Sequence, residues 1–240
     1  MSSHRWIGGC SFEKEELATF LVFQVNKIMI LKVIRCTPLP DMKEAFSDKQ
    51  KQWSAISGCN GLVGQLGGWE LDGQDAFILA VWDGMSSIKE FMSHSHDPIA
   101  DRINQQTTYS QCDVEYFSTA SDIPAFAPGY SCSITDFSFL RVTDCYLRSH
   151  GEAQFLKDQE NILNPAMSSC LGMLGGYIAK SHEIENRYLV ISFWDSEISH
   201  QKYVKDLFPE TIKKVELSSY IQRLKSYQIP INTGWNVLPN

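Results

Sequence analysis

The segment His94-Ser95-His96-Asp97 concentrates the residue types best suited to moving a proton. Imidazole titrates near neutrality, and a neighbouring carboxylate fixes its tautomer. His96 can therefore act as a general base with Asp97 as its orienter, and His94 stands close enough to touch the same ligand. These types also bind metals, but a site needs at least a third ligand. No H-E-x-x-H run supplies one, so no metal is expected. A structural role competes. Asp97 precedes Pro98, where one helix ends and another begins, so Asp97 can cap the second helix while His96 packs on a strand.

Gly64-Gln65-Leu66-Gly67-Gly68-Trp69 is the second candidate. Strand alternation puts Gln65, Gly67 and Trp69 on one face, and a glycine between larger side chains leaves a notch. The notch either admits a ligand between two sheets or takes a bulky neighbour or a bulge. Trp53, Trp69, Trp82, Tyr177 and Trp194 either line a cavity for a planar molecule or fill a core; the core is expected for Trp53 and Trp194, and both readings stay open for Trp69 and Trp82. The catalytic candidates are thus His96 and Asp97, and the ligand-binding candidates Gln65, Trp69, Trp82, His94 and Tyr177. No G-x-S-x-G, P-loop or dinucleotide fingerprint is present, and no cofactor is expected.

The elements that hold these residues occur twice. Leu62-Val-Gly-Gln-Leu-Gly-Gly-Trp69 matches Cys170-Leu-Gly-Met-Leu-Gly-Gly-Tyr177, and Ile78-Leu-Ala-Val-Trp-Asp83 matches Val190-Ile-Ser-Phe-Trp-Asp195. Ile34-Arg35 pairs with Leu140-Arg141, and Phe46 and Gln50 with Phe155 and Gln159. The offset grows between the two main blocks, which predicts a longer hairpin loop over Lys180 to Arg187. On this alignment Met173 replaces Gln65, and Asp206, Phe208 and Pro209 replace the His96 segment. A self-match in one order is the mark of duplication.

Each copy reads strand, helix, strand, strand, helix, strand. Met29–Cys36, Gly61–Leu71, Ala76–Trp82 and Cys112–Phe117 are the strands of the first. Capping boxes are expected at Asp41 with Glu44, Ser87 with Glu90, and Ser149 with Glu152. Residues 1–28 form an extension outside the fold, as if Met29 were the natural start. Residues 29–118 are the first repeat, 119–131 a Pro- and Gly-bearing linker, and 132–240 the second repeat with its tail. The fold class is α+β: two tandem ferredoxin-like βαββαβ repeats whose sheets cover each other as an intrachain pseudo-dimeric α/β barrel. One chain supplies both halves, so a monomer suffices.

A net charge of −7 without any Lys/Arg run argues against nucleic-acid partners. The apolar run Leu17–Val25 is too short to span a bilayer, so no membrane partner is expected. Seven cysteines, an odd number with no C-x-x-C pair, point to free thiols in a reducing cytoplasm.

The motifs Ile34-Arg-Cys36, Gln50-x-x-Trp53, Gly64-Gln-Leu-Gly-Gly-Trp69, Phe91-Met-x-x-x-His-Asp97, Asn164-Pro-x-Met167 and Gly172-Met-Leu174 resemble the dimeric α/β-barrel superfamily, which includes antibiotic-biosynthesis monooxygenase-like proteins. Within it they are most similar to the uncharacterised tandem YdbC-like proteins. The resemblance covers nearly everything after Met29 and implies the fold; activities in the superfamily diverge too far for it to imply one. Haem-degrading members place an axial histidine on the second helix. Ungapped counting from Trp82 and Trp194 reaches Asp101 and Lys213 there, which argues against haem. Cofactor-free oxygenases of this fold use a base and a dry pocket on electron-rich aromatics.

The function expected is binding of a small aromatic or otherwise apolar molecule, with cofactor-independent monooxygenase-like chemistry as the enzymatic version. The rival is a non-catalytic interaction module whose core is filled by its own side chains. Geometry separates them: the catalytic version needs His96 and Gln65 in one shared cavity.

Overall fold

In the computed structural model, residues 28–127 and 133–240 are described. Nearly all of the expected extension, residues 1–27, lies outside them. The first repeat runs β1 (Ile30–Pro38), α1 (Lys43–Lys51), a 3-10 turn over Gln52–Gly58, β2 (Leu62–Trp69), β3 (Ala76–Trp82), α2 (Met85–His94), α3 (His96–Ile103) and β4 (Tyr109–Ile123). The second runs β5 (Phe139–Leu147), α4 (Glu152–Asp158), a π-helical turn over Gln159–Leu163, α5 (Asn164–Ser168), β6 (Met173–Ser181) and β7 (Arg187–Trp194). It closes with α6 (Glu197–Asp206), α7 (Phe208–Ile212), α8 (Leu217–Tyr220) and β8 (Ile221–Pro230). Strand β4 continues through the first residues assigned to the linker.

All named strand pairings are antiparallel, in the order β2-β3-β1-β4-β6-β7-β5-β8. The seam between the repeats is β4 against β6, from Phe117 opposite Ser181 to Ile123 opposite Gly176. The chain after β8 returns along β2, with bridges at Gly68–Ile231 and Gln65–Val237, and so closes the barrel. These are two tandem ferredoxin-like repeats in one α/β barrel.

Strand alternation divides the side chains between two environments. Leu31, Val33, Phe77, Leu79 and Val81 point inward, where they meet Phe117, Leu140, Tyr177, Phe193 and Ile229 in one core. Ile30, Ala80 and Trp82 point outward beneath the helices. Both faces of β3 are covered, which is why Ala76–Trp82 reads as an unbroken apolar run. The space between the sheets, expected to admit a ligand, is packed: Phe137 stacks on Phe193 at 4.5 Å, and Tyr177 and Ile229 are 0% exposed.

Strand register corrects the repeat alignment. Leu62 and Met173 lie opposite Trp82 and Trp194, the tryptophans that end β3 and β7, and Gly64 and Gly175 lie opposite Val81 and Phe193. Tyr177 therefore occupies the place of Leu66, not Trp69, and Gly176 that of Gln65. The Gly-Gly match is displaced by three residues from the real correspondence. Gly61 and Gly172 confirm this, since both have positive φ (75° and 91°) and both abut an aspartate and a serine. Lys32, not Arg35, is equivalent to Arg141, because Ile30 and Phe139 face the same tryptophans. The displacement arises in the helices, where the π-helical turn of the second repeat replaces the 3-10 turn of the first. The hairpin loop over Lys180 to Arg187 contributes less of it than expected.

The three capping boxes do not form. Asp41 is left-handed (φ 61°) and Met42 precedes α1; Gly84 and Gly151 precede α2 and α4. Ser87 instead donates to Asp83, and Glu152 accepts from Lys180 and Tyr188. A capping box does occur at Ser133 with Asp136.

Candidate ligand-binding site

A cavity of about 130 Å³ lies on the outer face of the first-repeat strands, beneath the helices. Its floor comes from alternation: Lys32 on β1, Ala80 and Trp82 on β3 and Gln65 on β2 share one face. Gln65 and His96 both line it, so the two share one cavity. That cavity lies under the helices rather than between the sheets.

Three floor groups are polar. Gln65 is 3% exposed; its backbone bonds Val237 in both directions at 2.9 and 2.8 Å, while its amide Nε2 has no partner among the described residues. Trp82 is 1% exposed and stacks on Phe91 at 5.1 Å, and among the described residues its indole Nε1 is also without a partner. The equivalent Trp194 donates to Ser192 Oγ at 2.9 Å, but Ala80 stands where that serine would be. A buried donor left unmade costs about 1–3 kcal/mol, so two of them side by side on a cavity floor are informative. Lys32 is 6% exposed, with Nζ 3.8 Å from Met92 Sδ and 5.3 Å from the Phe91 ring centroid. Among the described residues no carboxylate pairs with it. Burial pushes its ammonium down to about 8, and Cys112 opposes the shift.

His96 stands at the rim, its side chain 26% exposed and its ring against Trp53 and Phe91 at 5.7 and 5.6 Å. Nδ1 lies 2.8 Å from Asp97 Oδ1, which leaves Nε2 as the nitrogen open to a ligand. Asp97 is 82% exposed and makes no side-chain cap. One wall is a polar chain: Trp53 Nε1 donates to Gln105 Oε1 at 2.7 Å, and Gln105 Nε2 donates to Gln50 Oε1 at 3.0 Å. On the strand wall Cys36 and Cys112 lie opposite each other with sulfurs 2.9 Å apart. Their hydrogen bond raises the Cys36 thiol and lowers that of Cys112.

Three sequence candidates fall outside this cavity. His94 is exposed, with Nδ1 held by Ser93 Oγ and Glu90 O at 2.8 and 3.1 Å. Trp69 shares the face but sits further along β2, against Phe46 and Trp235 at 5.5 and 5.1 Å under the C-terminal tail. Tyr177 points into the barrel core, the opposite face of the sheet. The Gly67-Gly68 notch serves backbone approach instead of a ligand. A Cβ at Gly67 would collide with Phe77 O, and one at Gly68 with Pro230 O. Lys32 was the main omission. Its signal was a cation at an outward position of an apolar strand, between Ile30 and Ile34.

Among the described residues, no group of three or more His, Cys, Asp or Glu is placed to hold a metal ion. No helix there is long and apolar enough to cross a membrane.

Comparison with known proteins agrees with the fold. Residues 30–117, the first repeat, match a domain of unknown function, DUF4937. The uncharacterised protein YdbC of Bacillus subtilis (strain 168) is 29% identical over 92 residues, 37% of this chain and 77% of that protein. Its whole length therefore has room for one repeat. Among solved structures, a candidate monooxygenase of Fusobacterium nucleatum superposes with a TM-score of 0.70 at 10% identity, over 86% of this chain and 94% of that one. One from Lactobacillus acidophilus NCFM gives 0.67 at 13%, over 88% and 96%. An anthrone oxidase-like protein gives 0.63 at 12%, over 86% and 92%. The chain thus has the barrel fold of monooxygenase-like proteins, as the dimeric α/β-barrel resemblance implied.

Proposed function

We propose that the first-repeat cavity binds a one- or two-ring hydroxyaromatic molecule and promotes its oxygenation without a bound cofactor. The single observation that carries this reading is the pair of unpartnered donors, Gln65 Nε2 and Trp82 Nε1, beside the unpaired ammonium of Lys32. A ligand oxygen that gains negative charge on this floor would accept from these donors and pair with the ammonium, and an oxyanion is stabilised more than the neutral phenol. At about 130 Å³ the cavity is close to the roughly 150 Å³ that accommodates benzene, so it encloses one ring and a second ring would extend past the rim at His96.

His96 Nε2 is the base, with Asp97 holding Nδ1. The substrate's keto tautomer carries a CH2 group. His96 takes one of its protons, and the electron pair left behind delocalises onto the oxygen held by Lys32. The carbanion reduces dioxygen and forms a C–O bond; the resulting hydroperoxide loses water to leave a carbonyl. Overall CH2 and O2 become C=O and H2O. An anthrone oxidase-like protein shares the fold, which is in keeping with this class.

The rival filled-core reading describes the barrel interior but not this cavity. Oxygen-electrode assays with 1-naphthol, which would yield 1,4-naphthoquinone and water, test the chemistry. Uptake that depends on protein and falls at least about tenfold in His96→Ala supports it. Binding of 1,4-naphthoquinone without uptake would reduce the cavity to a carrier site, and absence of both would defeat the reading.

A further inference from the structure

The second repeat has a cavity of its own, about 180 Å³, in the equivalent place beneath α4 to α8. Its chemistry differs from that of the first. Phe208 opens α7 as His96 opens α3, so an aromatic ring replaces the rim histidine. Gly176 takes the place of Gln65, and Trp194 is satisfied by Ser192. The oxyanion floor of the first repeat is thus absent.

The cation is retained and changed. Arg141 replaces Lys32, between Ser192 and Gln228 on the flanking strands. Among the described residues its side chain makes one hydrogen bond, from Nη1 to Val142 O at 3.2 Å, and no carboxylate pairs with it. Arg141 is half-buried; by contrast, the buried Arg187 of this repeat holds two carboxylates. Two further lining groups have no hydrogen-bond partner among the described residues: His200 Nδ1 and Gln159 Oε1, in residues 4% and 6% exposed. Much of the rest of the lining is aliphatic or aromatic, including Leu163, Met167, Val190 and Tyr203. Burial, reinforced by Arg141, pushes His200 down to about 4, so at neutral pH it is an uncharged donor or acceptor.

From this the geometry points to a second, separate binding site for a monocarboxylate with an aryl or short alkyl body. The carboxylate pairs with Arg141, and the body fills the apolar pocket against Tyr203 and Phe208. A planar guanidinium matches a carboxylate through paired N–H donors, and burial strengthens the match. The apolar walls exclude a polyanion. The site does not depend on the oxygenation assigned to the first repeat, because it shares no residue with that cavity.

Calorimetric titration of the full chain with phenylacetate, and with 2-phenylethanol as its uncharged counterpart, tests this. The expected result is at least about tenfold tighter binding of phenylacetate. That preference should vanish in Arg141→Met and survive in part in Arg141→Lys. Retained 2-phenylethanol binding in Arg141→Met would show that the pocket is still folded. Equal affinity for the two compounds, no binding of either, or phenylacetate binding that persists in Arg141→Met would overturn the inference. So would loss of phenylacetate binding in Lys32→Met with Arg141 intact, since that would move the carboxylate to the first repeat.

Discussion

At the residue scale, the first-repeat cavity depends on a lysine held at a cost to stability. In the unfolded chain Lys32 titrates at its ordinary value of 10.5, and in the fold at about 8. Between those values the unfolded state binds more protons, so stability rises with pH there. The penalty is fully present below about 8 and relieved above. Lys32→Met should therefore be more stable than the wild type at pH 7 in urea unfolding, by on the order of 1–3 kcal/mol. The gap should narrow as pH approaches 10, and the variant should bind 1,4-naphthoquinone less well. A constant gap across pH would mean that the ammonium is not buried. His96, Gln65 and Trp82 were legible in the sequence because polar or aromatic types at those spacings invite a site. Lys32 was not, because its burial depends on which face of β1 the helices cover. Trp69 and His94 were misplaced for a related reason. Alternation gives a face, but the position along it is set by the C-terminal tail and by where α2 ends.

At the element scale, the strand and helix order was legible because two copies of one hydrophobic pattern reinforce each other. Caps and register were not. The Gly-Gly match between the repeats suggested a correspondence that the pairing of Leu62 and Met173 with the two tryptophans displaces. Identical glycines serve different neighbours here, since a helix change upstream shifted the frame. Gly68 is the sharpest case, because its missing side chain lets the segment after β8 close the barrel against β2. Gly68→Ala should lose about 2–4 kcal/mol in thermal or chemical unfolding. Gly84→Ala has extended φ and its nearest atom at 3.7 Å, so it should stay within about 1 kcal/mol of wild type. Equal effects at the two positions would contradict the closure.

At the scale of the whole molecule, the barrel joins two repeats that differ in the chemistry of their cavities. The YdbC relative has room for one such repeat, whereas this chain carries two with differently lined cavities. A buried ion cluster crosses the seam. Arg187 of β7 holds Asp144 of β5 at 2.9 Å and also binds Glu115 of β4, in the other repeat. Replacing Arg187 with Leu leaves two carboxylates facing each other, one of them Asp144 at 5% exposure. That change should cost about 3–5 kcal/mol in chemical unfolding. A near-neutral result would mean that water reaches the cluster.

The central claim is that Trp82 and Gln65 await a ligand's oxygen. The most direct measurement follows the indole N–H resonances of the six tryptophans while 1,4-naphthoquinone is added, with Trp82 assigned through Trp82→Phe. Trp194 and Trp235 already donate to Ser192 and Ser47 at 2.9 and 3.0 Å, so they serve as internal references. The account predicts a saturable downfield shift of the Trp82 signal, little change at Trp194 and Trp235, and weaker binding by about fivefold in Gln65→Leu. An unmoved Trp82 signal under conditions where the compound binds would contradict it.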